Sequence, residues 1–350
     1  MNLQLLIPPI FSFVFTLLGI FLMLKFFPRL RLMDRPHEYG LNRAPIPYGG
    51  GIIFFMVFAV SALLFVNITG PIFGVIVAGF LITLISFIDD RIRLNPWLRL
   101  AAQALAGIIV VLSGVEIQLI NAPFGLPVFL DKIQFQIFGQ TVWLFSALAI
   151  VIWLIMMMNV MNWMDGIPGL TSGITVIAQV SLFLLSTRQF NIVDQSAIIT
   201  ISSVIAASAA AFLIFDFPKP KILMGDTGSM FLGFMLGVLS ILAGGKLATA
   251  VLIMGFPVLD AFWVILKRII SGGSPLKGDN SHLHHKLLNV GLSEKQALFF
   301  NYSLCTVCAA IALMLNSSFS KFIAFIGVLF VMGAVGVVLY LRTNKYGSGR

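Results

Sequence analysis

Apolar runs long enough to cross a bilayer recur from one end of this 350-residue chain to the other, and no other feature limits its fold as strongly. Inside a bilayer every backbone N–H and C=O needs a partner, and a run of this length satisfies its own groups only as a helix. Hydrophobic residues make up 59% of the chain against 10% charged. Polar, Gly and Pro punctuation divides the sequence into eleven candidate spans, at 4–26, 50–69, 71–88, 98–116, 141–160, 168–187, 196–215, 227–244, 247–270, 297–316 and 321–341. The expected fold class is all-α: a polytopic membrane protein of ten to eleven transmembrane helices, with residues 1–350 forming a single integral-membrane domain. The first run lacks a basic leader and a small-residue cleavage pattern, so it reads as a helix that stays in the membrane.

An odd number of spans puts the two ends on opposite sides, and the basic residues say which is which. With the N-terminus outside and the C-terminus in the cytoplasm, all of the Lys and Arg residues fall on the cytoplasmic side except Lys132, Arg188, Lys246 and Lys321. The net charge of +9 then reads as an orientation signal and an attraction to anionic headgroups; no basic cluster is left over to suggest a nucleic-acid partner. Segment 117–140, on the outside, alternates around Pro and Gly, and its flanks Ile117–Ile120 and Lys132–Ile137 predict a small hairpin. Cys305 and Cys308 lie inside an apolar run and read as buried small side chains, since redox or zinc chemistry needs polar surroundings.

The same topology sends most of the remaining polar residues to the cytoplasmic face, in four clusters. Asp89 and Asp90 end the third span, where adjacent carboxylates are expensive unless a cation or reacting group uses them, and Gln103 follows on the next helix. Asn159 and Asn162 lie one turn apart, followed by Asp165-Gly166-Ile167-Pro168-Gly169-Leu170. Met224-Gly225-Asp226-Thr227-Gly228-Ser229 opens the eighth span, where free amides favour phosphate and where Asp226 or Thr227 could equally serve as a simple N-cap. Ser274 to Lys286 packs His282, His284, His285, Lys277 and Asp279 into one loop. Hard oxygen donors suit Mg²⁺, which keeps waters and bridges to substrate phosphates; phosphoryl transfer asks mainly for positioning and charge neutralisation.

Taken in order, Asp-Asp with its downstream Gln, Asn-x-x-Asn-x-x-Asp-Gly-x-x-Gly-Leu, Met-Gly-Asp-x-Gly-Ser and His-x-His-His resemble the polyprenyl-phosphate N-acetylhexosamine-1-phosphate transferase superfamily. The likeness covers about Pro45 to Leu288, including Pro45-Ile46-Pro47-Tyr48-Gly49-Gly50 and Phe256-Pro257-Val258-Leu259-Asp260. It implies transfer of a sugar 1-phosphate from a UDP-sugar to a polyprenyl phosphate, with release of UMP and with Mg²⁺, in a bacterial cytoplasmic membrane. The His282-Leu283-His284-His285 form resembles the UDP-N-acetylglucosamine branch, acting on undecaprenyl phosphate, more than the muramoyl-pentapeptide branch with its three consecutive histidines.

Carried over, the resemblance makes Asn162 and Asp226 the Mg²⁺ ligands and places His282, His284 and His285 on the diphosphate. It makes Asp89, Asp90, Asp226 and His282 catalytic, with Asn159 and Asp165 on the substrate. Asp89 would stand beside the lipid phosphate, through direct attack on the β-phosphorus or a covalent aspartyl-phosphate. Two departures from the family pattern are Pro168, where a second carboxylate is usual, and Tyr48, where a basic residue is common. A lipid-linked sugar carrier or an inactive scaffold are the rival readings; a carrier would place its charges near the bilayer midplane. A homodimer is the expectation for assembly. Pro257 predicts a kink in the ninth span, opening a bilayer-facing groove toward Asp89.

Overall fold

The computed structural model describes residues 5–39, 42–121, 127–137, 139–189, 194–244, 247–270, 272 and 282–347. Every predicted span is helical. The helices are α1 (Ile7–Phe26), α2 (Ile52–Phe65), α3 (Gly70–Ile92), α4 (Pro96–Leu112), α5 (Leu144–Met164), α6 (Leu170–Gln189), α7 (Ser196–Asp216), α8 (Gly225–Leu242), α9 (Leu247–Ile253), α10 (Gly255–Ile270), α11 (Leu283–Asn289), α12 (Glu294–Met314) and α13 (Ser318–Gly347). Eight of them, α1, α3, α5, α6, α7, α8, α12 and α13, are long and apolar enough to cross a membrane. The protein is thus a polytopic, all-helical membrane protein.

The other three expected spans differ in form. Those at 50–69 and 98–116 are realised as α2 and α4, of 14 and 17 residues, shorter than the roughly 20 residues a straight crossing needs. The span at 247–270 is broken in two at Met254. Proline clashes with the carbonyl four residues back; for Pro257 that is Ile253, the last residue of α9, so the kink expected from Pro257 takes the form of a break one turn before it.

Segment 117–140 also departs from expectation. Instead of one hairpin joining its two flanks, two separate antiparallel pairs form, β1 (Leu119–Asn121) with β2 (Pro127–Phe129) and β3 (Gln134–Ile137) with β4 (Gln140–Trp143). Each strand takes the nearer partner, which keeps the loop to be closed short. Local signals set the helix ends nearby. Arg93 ends α3 in the left-handed region, and Asn95 caps α4 by accepting from Trp97 N–H at 2.9 Å, with Pro96 at the first helical position.

The centre of the bundle is α8, packed against α5 and α3 with α2, α6 and α7 around it. Small residues permit this: a Cβ on Gly51 would come 2.1 Å from the Gly228 Cα, and one on Gly233 would come 2.5 Å from the Met157 carbonyl oxygen. Helices in lipid gain by close backbone approach, for which glycine is the means. Gly233→Ala is therefore expected to overpack the α5–α8 contact and lower stability by about 1–3 kcal/mol, read as an earlier thermal transition in detergent; an unchanged transition would remove this contact from the account of the core.

Candidate active site

The segment Pro45 to Gly51 runs beside the start of α8 and is held by its backbone. Leu223 N–H donates to the Pro47 carbonyl, Gly50 N–H to Leu223 and Gly51 N–H to Met224, each at 2.9 Å. Asp34 fixes the preceding turn, accepting from Ile46 N–H at 2.7 Å and from Arg43 at 2.5 Å. This proline- and glycine-rich stretch, with Tyr48 bridged to Leu223, thus packs backbone against backbone where α2 and α8 begin.

Asp90 closes the same junction from α3. Its carboxylate accepts from Asp226 N–H at 2.9 Å, Thr227 N–H at 3.2 Å and the Thr227 hydroxyl at 2.5 Å, so the first turn of α8 is capped from another helix. Neither Asp226 nor Thr227 is the N-cap: that position is Met224, with no side-chain cap. Gly225 makes the arrangement possible. It has φ +70°, and a Cβ there would lie 2.4 Å from an Asp90 oxygen.

With its amide tied down, Asp226 turns its side chain toward Asp89. Arg99, from the first turns of α4, lies between them: its guanidinium is 3.1 Å from Asp89 Oδ2 and 2.9 Å from Asp226 Oδ2, and it donates to Asn162 Oδ1 at 3.4 Å. Asp89 also accepts from Leu94 N–H at 2.6 Å, and Asn162 donates to Ser229 Oγ at 3.0 Å. Asp89, Leu94, Arg99, Asn162 and Asp226 line a cavity of about 560 Å³ whose wall includes Asp165 and Tyr48 and carries five aspartates and five arginines. A polar lining so dense in both signs is suited to a charged ligand and not to an apolar one.

The structure therefore brings Asp89, Asp90, Asn162, Asp165 and Asp226 to one cavity, and places Asn159 and the histidines outside its lining. Asn159 ties helices together, donating to Gln103 Oε1 and to the Ile155 carbonyl, both at 2.8 Å. His282 starts α11 and pairs through Nδ1 with Asp260 of α10 at 2.8 Å, while Leu283 N–H donates to the other Asp260 oxygen at 2.9 Å. The His282 and His284 rings stack, the His285 ring lies tilted against His284, and His284 packs on the back of the Asp165-Gly166 turn, where a Cβ on Gly166 would lie 2.3 Å from its Nε2. Lys277 and Asp279 lie outside the described residues. Among the described residues no part of α10 lines this cavity.

Arg99 and Asp260 had no assigned role in the sequence, although each carries a signal. A cation in the first turns of a helix opposes the helix dipole and so calls for an anionic partner, and an acid within an apolar run calls for a partner of any kind. At Pro168, where the family's second carboxylate is missing, Asp216 accepts from Gly169 N–H at 2.9 Å and from Ser172 Oγ at 2.8 Å, anchoring the start of α6. Cys305 and Cys308 are buried and unbridged. The donor set fits a hard divalent cation, because the Asp226 carboxylate and the Asn162 amide oxygen already converge on a single positive group, the Arg99 guanidinium.

Fold and cavity together define a class: a polytopic helical membrane protein that gathers acids, an amide and arginines from separate connections into one charged pocket. Residues 72–244 match the model of glycosyl transferase family 4. Over 349 residues the chain is 26% identical to a probable undecaprenyl-phosphate N-acetylglucosaminyl 1-phosphate transferase of Bacillus subtilis, covering 96% of this chain and 93% of that protein. It is 31% identical over 299 residues to a decaprenyl-phosphate N-acetylglucosaminephosphotransferase of Mycolicibacterium smegmatis, 76% of this chain and 71% of that one. An undecaprenyl-phosphate alpha-N-acetylglucosaminyl 1-phosphate transferase of Escherichia coli is 25% identical over 310 residues, 85% of this chain and 79% of its own length. The chain belongs to glycosyl transferase family 4, as its motifs implied.

Burial, with His285 and His282 adding to it, pushes the His284 imidazole down to about 3, so the folded protein holds it neutral. The unfolded chain takes up a proton near pH 6.5, and stability should fall as pH drops below 6.5 toward 3. Between pH 7 and 5 this amounts to about 2 kcal/mol. His284→Asn should flatten that part of the stability profile measured by unfolding in detergent; a wild-type slope retained in the variant would place the acid sensitivity elsewhere.

Proposed function

We propose that the chain transfers N-acetylglucosamine 1-phosphate from UDP-N-acetylglucosamine to a polyprenyl phosphate, releasing UMP, with Mg²⁺, at the cytoplasmic face of a bacterial inner membrane. The product is a polyprenyl-diphosphate sugar, a starting point for envelope polysaccharides. The observation that carries this reading is the convergence of Asp89, Asp226 and Asn162 on one cationic group in the cavity, beside the N-terminus of α8. The names of the relatives agree with it, and so does the placement of the basic residues, from which the N-out, C-in orientation follows.

In this reading an oxygen of the lipid phosphate attacks the β-phosphorus of the UDP-sugar. The bond from that phosphorus to the bridging oxygen of UMP breaks, and its electron pair leaves with UMP. A phosphate monoester has its second pKa near 6, so at pH 7 the nucleophile is largely a dianion and needs no strong base. Asp89 is suited to orienting: both its oxygens are engaged, one by Leu94 N–H and the other by Arg99, which aims the guanidinium at the space where phosphates would lie. Asp226 and Asn162 would hold Mg²⁺, which neutralises phosphate charge when bound. Asp90 keeps the α8 amide end rigid, and Asp260 holds His282 in one orientation against the His284 ring, which packs on the Asp165-Gly166 turn.

Purified protein in detergent, given UDP-N-acetylglucosamine, undecaprenyl phosphate and Mg²⁺, should release UMP and form the lipid-linked sugar only when all three are present; no UMP under these conditions would rule the reading out. Asp226→Asn should keep the fold and lose more than tenfold in turnover, a barrier increase above about 1.4 kcal/mol. Turnover above a tenth of wild type at saturating Mg²⁺ would reject Asp226 as a ligand.

A further inference from the structure

Arg91, the residue after Asp90 in the last turn of α3, lines the cavity. Its guanidinium lies over the Phe87 ring, 5.2 Å from the ring centre, and Nη1 donates to the Arg31 carbonyl at 3.5 Å. The other edge, Nε and Nη2, is shielded from solvent and has no acceptor among the described residues. Those two N–H groups form the planar fork that matches a carboxylate or a phosphate with two parallel hydrogen bonds. A charged donor pair left unsatisfied in a shielded position is costly, so this edge calls for an oxyanion.

The described residues supply none. Asp90, the adjacent carboxylate, is spent on the α8 amides and Thr227. Asp89 is committed to Leu94 and Arg99, and Asp34 to Arg43 and Ile46. The surroundings are built to hold the arginine in place. Arg31 sits in the left-handed region at φ +56°, a conformation uncommon for a side-chain-bearing residue, and its carbonyl is the group that receives Nη1.

We propose that the Nε–Nη2 edge of Arg91 is the phosphate fork of the lipid acceptor, an inference that rests on the transferase reading. The shared chemistry, a phosphate, is found on both the acceptor and the nucleotide sugar, and the setting favours the acceptor. Arg91 lies in the last turn of a helix long and apolar enough to cross a membrane, its chain neighbour Ile92 is 68% exposed, and Leu30 beside Arg31 is 65% exposed. Apolar side chains flanking a phosphate fork suit an amphiphile whose tail stays in hydrocarbon; a sugar nucleotide has nothing to place against them.

The test uses the full-length protein in detergent, with undecaprenyl phosphate and UDP-N-acetylglucosamine titrated separately. Arg91→Gln should weaken binding of undecaprenyl phosphate at least tenfold and leave the UDP-sugar within twofold; in turnover, KM for the lipid should rise while kcat at saturating lipid stays within about threefold. Arg91→Lys keeps the charge without the fork and should recover only part of the loss; should the Gln variant fail to fold, the Lys variant carries the same comparison. Wild-type affinity for both ligands in a folded variant would overturn the fork, and a loss confined to the UDP-sugar would overturn its assignment to the lipid. These outcomes presuppose a wild-type protein that turns over; one that does not would overturn the transferase reading and this inference with it.

Discussion

The carboxylate of Asp90 lies across the first turn of α8, and the arrangement of the pocket depends on that contact. A helix begins with amide groups that have no partner within it and a partial positive charge; here both are answered by an acid from a different helix. One contact therefore joins the end of α3 to the start of the most enclosed helix and holds Asp226 beside Asp89. The requirement for Gly225 follows from it, since any side chain there would occupy the position of the Asp90 oxygen.

Around this junction charges are placed in alternation. Arg99 lies between Asp89 and Asp226, Arg43 lies on Asp34, and Asp260 holds His282. Removing one partner from such a shielded pair leaves an uncompensated charge, which is far more damaging than the pair's own net contribution suggests. The Asp260–His282 pair is enclosed and Arg43 on Asp34 is a third exposed, while the Asp89-Arg99-Asp226 group is partly open, with Arg99 and Asp226 both more than a quarter exposed. Its charges are held close yet remain open to a ligand, a combination that a fully buried pair does not offer.

The helical spans were legible because twenty or so apolar residues in a row have few other fates, and Pro257 announced the break that appears at Met254. Of the four strands, β1 and β3 were legible in the alternating flanks, whereas β2, β4 and the pairing were not, since pairing depends on loop closure between segments of similar character. In the site, Asp89, Asp226, Asn162 and Asp165 could be read from residue type and helix-end position, and they do share a cavity. Asp90 and Asn159 look the same in sequence as their neighbours Asp89 and Asn162, yet Asp90, at the cavity wall, spends its carboxylate on capping a helix, and Asn159, outside the lining, bridges to Gln103. How each member of a pair is used is set by helix rotation and by contacts far away in the chain. Arg99 was hidden for the same reason: its two carboxylates come from α3 and α8.

Among the eight described helices long and apolar enough to cross a membrane, α8 has the lowest mean hydropathy, 1.4, and is the most enclosed, with 89% of its span buried, whereas α13 reaches 2.8 with 11% buried. The order is physically consistent, since a helix wrapped by protein does not have to dissolve in lipid. It has a consequence for biogenesis. A segment whose retention in the bilayer relies on its neighbours, and whose leading end carries an aspartate, is held in place by α3 and α5, which precede it in the chain. Its insertion is thereby coupled to tertiary assembly, and the polar pocket at its tip is completed as the bundle closes around it.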